Sequence, residues 1–159
     1  MTDSAVVFVE IPAGSRNKYE YDEELGGIAL DRRLFTAMAY PADYGFVEGT
    51  LGEDGDPLDA LVLVSDPTFP GCRIRVRPIG VFHMTDEKGP DEKLLCVPLG
   101  DPSFERIGDI GDVNAELLDE IEHFFQRYKD LEPSKLTVTR GWGSRSEAVA
   151  ILAEARDRT

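Results

Sequence analysis

Two histidines and two cysteines are all that 159 residues supply of the usual soft metal ligands. Cys72 and Cys96 form no C-x-x-C and have no zinc-like spacing to a histidine, so they read as reduced thiols. His123 falls in a helical pattern and His83 in an alternating strand, and both read as structural. No Ser/His/Asp set can be assigned. The G-x-x-x-x-G-K-[ST] run of a phosphate-binding P-loop is missing. No charged-then-apolar start resembles a signal peptide, and no apolar run is long enough to span a bilayer. A cytoplasmic, reducing location is therefore expected. Basic residues are scarce, 17 against 31 acidic, for a net charge of −14. Such a surface repels nucleic acid and anionic lipid and favours cations or cation-bridged ligands.

What is present is ordinary for a folded protein: 42% hydrophobic and 30% charged residues. The length suits one domain over 1–159, and a chain of this size buries about 70% of its unfolded surface. Short strands are expected in the first two-thirds, between Gly, Pro and Asp turns. They are Ala5–Ile11, a hairpin of Lys18–Asp22 with Ile28–Asp31, Asp59–Val64, Arg73–Arg77 and Lys93–Pro98. Lys135–Thr139 follows later in the chain. Leu117, Leu118, Ile121, Phe124, Phe125, Tyr128 and Leu131 recur at helical spacing, with Asp112 or Asn114 as candidate cap. A second helix starts near Ser146, where Ser144 and Glu147 match a capping box. Strands followed by docked helices suggest a mainly β, α+β fold: a small barrel with helices at its edge.

The chemistry concentrates in Gly52-Glu53-Asp54-Gly55-Asp56-Pro57-Leu58-Asp59-Ala60. Asp54 and Asp56 point the same way in extended chain, Gly55 lets the backbone bend, and Pro57 interrupts any ladder. Asp59 opens an apolar strand, where a lone carboxylate is costly. Two carboxylates about 4 Å apart repel by roughly 4 kcal/mol at an effective dielectric of 20, so the cluster needs protons, basic partners or cations. Oxygen ligands favour Mg²⁺ or Mn²⁺ over zinc. By composition the segment also fits a plain Asp/Gly/Pro turn. An EF-hand calcium loop fails, because Leu58, Asp59 and Ser65 stand at its fifth, sixth and twelfth positions. A second acidic group, Asp86 to Lys93, turns at Gly89-Pro90 and can bring Asp86 and Asp91 together, or be only an exposed hairpin. Lys18, Arg32, Tyr40, Tyr44, Tyr128 and Lys129 each have a bland explanation as surface pair, core aromatic or helix-end cation. Together with clustered carboxylates they fit polyphosphate chemistry, which needs cations on the phosphoryl groups and metals bridging their oxygens.

Asp54-Gly55-Asp56-Pro57-Leu58-Asp59 matches the D-G-D-P-x-D signature of the soluble inorganic pyrophosphatases of family I, and the chain resembles that family from about Phe8 to Trp142. Supporting blocks are Val9-Glu10-Ile11-Pro12, Lys18-Tyr19-Glu20, Leu30-Asp31-Arg32, Met38 to Gly45, Asp86 with Asp91 and Lys93, and His123 to Glu132. The resemblance implies a small five-stranded OB-like barrel with flanking helices. It implies metal-dependent hydrolysis of pyrophosphate to two phosphates by direct attack of metal-bound water or hydroxide, without a covalent intermediate. Several Mg²⁺ ions per site are implied, with Mn²⁺ or other divalent ions as substitutes. Asp54, Asp59, Asp91, Asp86 and Glu20 are implied metal ligands, and Asp56 the acceptor that helps deprotonate the water. Tyr44 and Lys93 support the metal–water cluster. Lys18, Arg32, Tyr128 and Lys129 bind phosphate, and Glu10 and Tyr40 stand behind them. The short length resembles the bacterial type, commonly a homohexamer. The rival readings are a nucleic-acid-binding OB barrel, which the net charge disfavours, an acidic calcium-binding protein, a glycosidase, and a phosphatase of organic pyrophosphates or nucleotides.

Overall fold

The computed structural model describes residues 3–133 and 137–159. Among the described residues, nine strands and two helices of 13 residues each run in the order β1 (Ala5–Ile11), β2 (Asn17–Asp22), β3 (Gly27–Arg33), β4 (Asp43–Val47), β5 (Asp59–Val62), β6 (Arg73–Asp86), β7 (Gly89–Pro90), β8 (Lys93–Pro98), α1 (Ala115–Arg127), β9 (Thr137–Gly143) and α2 (Arg145–Asp157). Single 3-10 turns at Pro102–Phe104 and Ile110–Asp112 join β8 to α1.

The main sheet runs β1-β4-β5-β8-β6, and β6 pairs back onto β1. Five strands therefore close into a ring, as expected for a small barrel. All ring pairings are antiparallel except β5 with β8. β7 and β9 add to the far half of β6, and β2–β3 is a separate hairpin. At Gly45 a Cβ would lie 1.9 Å from the Phe8 carbonyl oxygen, so glycine permits the close approach of β4 to β1.

The central strands are buried on both faces. Leu61, Leu63, Leu95 and Val97 pack in one core with Phe82, Ile121, Phe124 and Phe125. Ala60, Val62, Leu94 and Cys96 pack in the other with Ala148, Leu152 and Ala155. Thus α1 covers one face and α2 the other. Asn114, not Asp112, caps α1, its side chain accepting from Glu116 N–H. Asp112 instead completes a capping box with Asp109 in the preceding turn. The Ser144–Glu147 capping box is present at α2.

Three expectations need correcting. Arg73–Arg77 is only the start of a 14-residue strand that continues through Pro78. The ladder with β8 shifts register between Pro78 and Gly80, which accommodates the missing N–H. Leu131 lies beyond α1 and is exposed, because the chain turns at Tyr128 and Asp130 N–H closes onto Arg127 C=O. Of the expected strand Lys135–Thr139, Lys135 and Leu136 lie outside the described residues, and β9 runs on to Gly143. Cys72 and Cys96 are unpaired thiols. No described helix is long and apolar enough to cross a membrane.

Candidate active site

The strand starts at one end of the ring, with the loops beside them, bring the charged residues together. β5 opens on Asp59 and pairs in parallel with β8, so Asp59 and Lys93 are register partners. β4 runs antiparallel to β5 and supplies Tyr44. The β6–β7 turn supplies Asp86, and Asp91 follows it. The loop before β5 carries Asp54 and Asp56. Gly55 there has φ +90°, which other residues rarely adopt.

Lys93 forms the floor. Its side chain is 2% exposed. Its ammonium donates to Asp59 Oδ2 at 3.0 Å, Asp91 Oδ2 at 3.1 Å and Tyr44 Oη at 2.6 Å, so its three N–H groups are all used. Tyr44 Oη in turn donates to Asp59 Oδ2 at 2.9 Å. The Tyr44 and Phe125 rings lie 5.0 and 5.3 Å from the ammonium. Burial alone would discharge Lys93, but the carboxylates of Asp59 and Asp91 overcome it and push its pKa up. Burial, with Asp59 alongside, pushes Asp91 up against the opposing pull of Lys93. Tyr44 stays neutral, its pKa raised by burial and then by Asp59 and Asp91. Tyr40 packs behind Tyr44, with ring centres 5.5 Å apart.

Above this floor lies a cleft of ≈ 170 Å³. Its acidic lining is Glu10, Glu20, Asp54, Asp56, Asp59, Asp86 and Asp91, and its basic lining Lys18, Lys88, Lys93 and Lys129. Tyr44, Tyr128, Tyr19 and Ile11 complete the wall. Glu10, expected behind the site, lines it directly. Its pKa rises to about 7, chiefly from burial, partly offset by the Tyr21 N–H, with Asp59 and Glu20 adding repulsion. Burial also raises Asp54, aided by Asp56 and Asp91 and opposed by the Asp56 N–H it accepts at 3.0 Å.

Two expectations are met only loosely. The carboxylates share one cleft, but among the described residues no three His, Cys, Asp or Glu side chains are gathered as a ready-made metal cage. The reason at the floor is Lys93, which sits between Asp59 and Asp91. Arg32 does not line the cleft. Its guanidinium is tied to Asp31 at 2.7 Å and Glu132 at 2.9 Å, while Lys18 shares Asp31 at 3.2 Å. Tyr128 is buried and stacks on Phe124, and Lys129 lies 3.8 Å from Glu87. His83 is bound to Glu92 at 2.6 Å and lines no part of the cleft. Sequence reasoning missed Lys88, whose signal was its place in the turn between Asp86 and Asp91.

The profile of the inorganic pyrophosphatase family matches residues 7–159. The chain belongs to the inorganic pyrophosphatase family. An inorganic pyrophosphatase of Streptomyces coelicolor is 60% identical over 152 residues, covering 96% of this chain and 93% of that protein. One from Methanosarcina acetivorans is 53% identical, covering 99% and 95%. The crystal structure of the Thermus thermophilus inorganic pyrophosphatase superposes with a TM-score of 0.96 at 46% identity, over 98% of this chain and 91% of that one. That of Helicobacter pylori gives 0.95 at 44% identity, over 98% and 93%. The D-G-D-P-x-D loop that carries the resemblance to inorganic pyrophosphatases is the loop that delivers Asp54, Asp56 and Asp59 to the cleft.

Proposed function

We propose that this chain hydrolyses inorganic pyrophosphate to two phosphates with the help of divalent cations, Mg²⁺ foremost. The observation that carries the reading is the cleft itself, in which seven carboxylates face lysines that have phosphate-binding chemistry. Pyrophosphate is an anion and this chain is acidic, so the two attract only when cations stand between them.

The donor set fits a hard divalent ion. It offers oxygen only, and Glu10, Asp54 and Asp91 have pKa values raised by burial, with nearby carboxylates adding to the shift. A positive ion relieves that crowding. Asp54, Asp59, Asp86, Asp91 and Glu20 would hold the ions. When bound, a divalent ion lowers the pKa of the attacking water and neutralises phosphate oxygens.

The remaining work falls to the chain's own groups. Asp56 stands exposed at the rim, with Lys88 4.0 Å away, and would take the water's proton. Lys18, Lys129 and the Tyr128 hydroxyl orient phosphate oxygens, with Arg32 held beside them by Asp31 and Glu132. Lys93 and Tyr44 fix Asp59 and Asp91. Among the described residues no Ser, Thr, Cys or His lines the cleft, so a covalent phospho-enzyme would have to form on a carboxylate, whereas direct attack by water needs none. A cytoplasmic homohexamer is the setting that the family likeness suggests.

Phosphate release from pyrophosphate, measured with Mg²⁺, with EDTA and with ATP as competitor, tests this reading. Release that needs the metal and spares ATP supports it. No release with any divalent ion overturns it.

A further inference from the structure

Lys88 is the cleft lysine whose position no part of the proposed mechanism explains. It sits on the β6–β7 turn, between Asp86 and Asp91. Its backbone N–H donates to Asp86 Oδ1 at 2.8 Å, which fixes the turn and aims the side chain across the mouth of the cleft. There its ammonium stands 4.0 Å from Asp56 Oδ2, on the opposite rim. Both side chains are about two-thirds exposed, at 68% and 65%. An ion pair this long and this wet holds weakly.

Two of the other cleft lysines are held more firmly, and Lys129 is less exposed. Lys93 spends all three N–H groups on the floor. Lys18 shares Asp31 with Arg32 at 3.2 Å. Asp56 is the one partner of the Lys88 ammonium among the described residues. A flexible lysine with a weak partner, at the open side of a phosphate-sized cleft, is the cation best able to exchange that partner for an incoming anion.

We propose that Lys88 is a substrate-contacting residue: its ammonium leaves Asp56 for the solvent-side phosphate oxygens of pyrophosphate as the substrate enters. The assignment rests on the pyrophosphatase reading above. It makes Lys88 a contributor to substrate capture, and it makes the pairing with Asp56 a resting contact that substrate replaces. No bond is made or broken in the exchange.

The experiment is steady-state phosphate release at saturating Mg²⁺ by wild type, Lys88→Gln and Lys88→Arg, with melting temperatures of all three. Losing one well-solvated charge at about 4 Å predicts a KM for pyrophosphate raised roughly fivefold in Lys88→Gln. The expected kcat stays within about twofold, Lys88→Arg restores KM, and the melting temperatures agree. Added salt should raise the wild-type KM more than that of Lys88→Gln. A KM unchanged in Lys88→Gln, or a loss confined to kcat, overturns the assignment while leaving the proposed function intact. A wild type that releases no phosphate overturns both.

Discussion

The floor of the cleft and its rim are built from the same residue types under opposite physics. At the floor, the buried Lys93 is tied to Asp59, Asp91 and Tyr44 at once, with the Phe125 ring against Lys93 and Tyr44. At the rim, Lys18–Asp31 and Lys88–Asp56 are partly or largely exposed. Buried charges are costly to leave unpaired, whereas surface pairs are worth about 0–1 kcal/mol. The floor pairs are therefore costly to break, and the rim pairs can exchange partners at little cost.

The largest expected break in this comparison is Lys93→Met against Lys18→Met. Removing Lys93 leaves Asp59 and Asp91 facing each other, and breaking a buried pair in this way costs about 3–5 kcal/mol. In EDTA the melting temperature should fall by roughly 10 °C for a chain of this size. Lys18→Met, at the rim, should cost under about 1 kcal/mol. Equal losses in the two variants would erase the distinction between floor and rim.

Glu10 gives an effect of similar origin that pH can read. Its folded pKa of about 7 lies above its unfolded value of 4.5. Between those values the folded state binds more protons than the unfolded one, so its contribution falls as pH rises from 4.5 to 7. The loss is complete above pH 7 and amounts to about 3 kcal/mol for a shift of this size. Metal-free wild type should lose stability across that window more steeply than Glu10→Gln. Parallel denaturation curves for the two proteins from pH 4.5 to 8 would show that Glu10 is solvated rather than buried.

The smallest effect is Tyr44→Phe, which removes one hydrogen bond to Asp59 and one acceptor for Lys93. About 1–2 kcal/mol is expected, a few degrees in melting temperature. An unchanged melting temperature would mean that Lys93 and Asp59 need no third partner.

The sequence exposed the parts whose signals are local. The Asp/Gly/Pro loop, the alternation of β1 and the Ser144 capping box each declare themselves within a few residues. Parts set by pairing did not. β4 was not read as a strand, because Gly45 is a weak strand former whose value lies in its contact with Phe8. β6 runs far past the alternating Arg73–Arg77 stretch, and a register shift between Pro78 and Gly80 is what lets the strand carry a proline. Asp43 carries no local signal either, yet it is fully buried and accepts from Ala13 N–H and from Thr68. Lys93 is reached in the sequence only through the family resemblance, because its place between Asp59 and Asp91 requires β5 beside β8 in parallel register, which no local pattern encodes.

The most direct test of the account is the rate of phosphate release from pyrophosphate at saturating Mg²⁺ by wild type and Asp56→Asn. Asp56 is an exposed rim residue, so its substitution should leave the melting temperature unchanged. In its proposed role as proton acceptor, its loss should lower kcat by about 10²–10⁴-fold, with the Mg²⁺ dependence nearly the same. An Asp56→Asn enzyme with wild-type kcat would contradict the mechanism, and a wild type without Mg²⁺-dependent release would contradict the function.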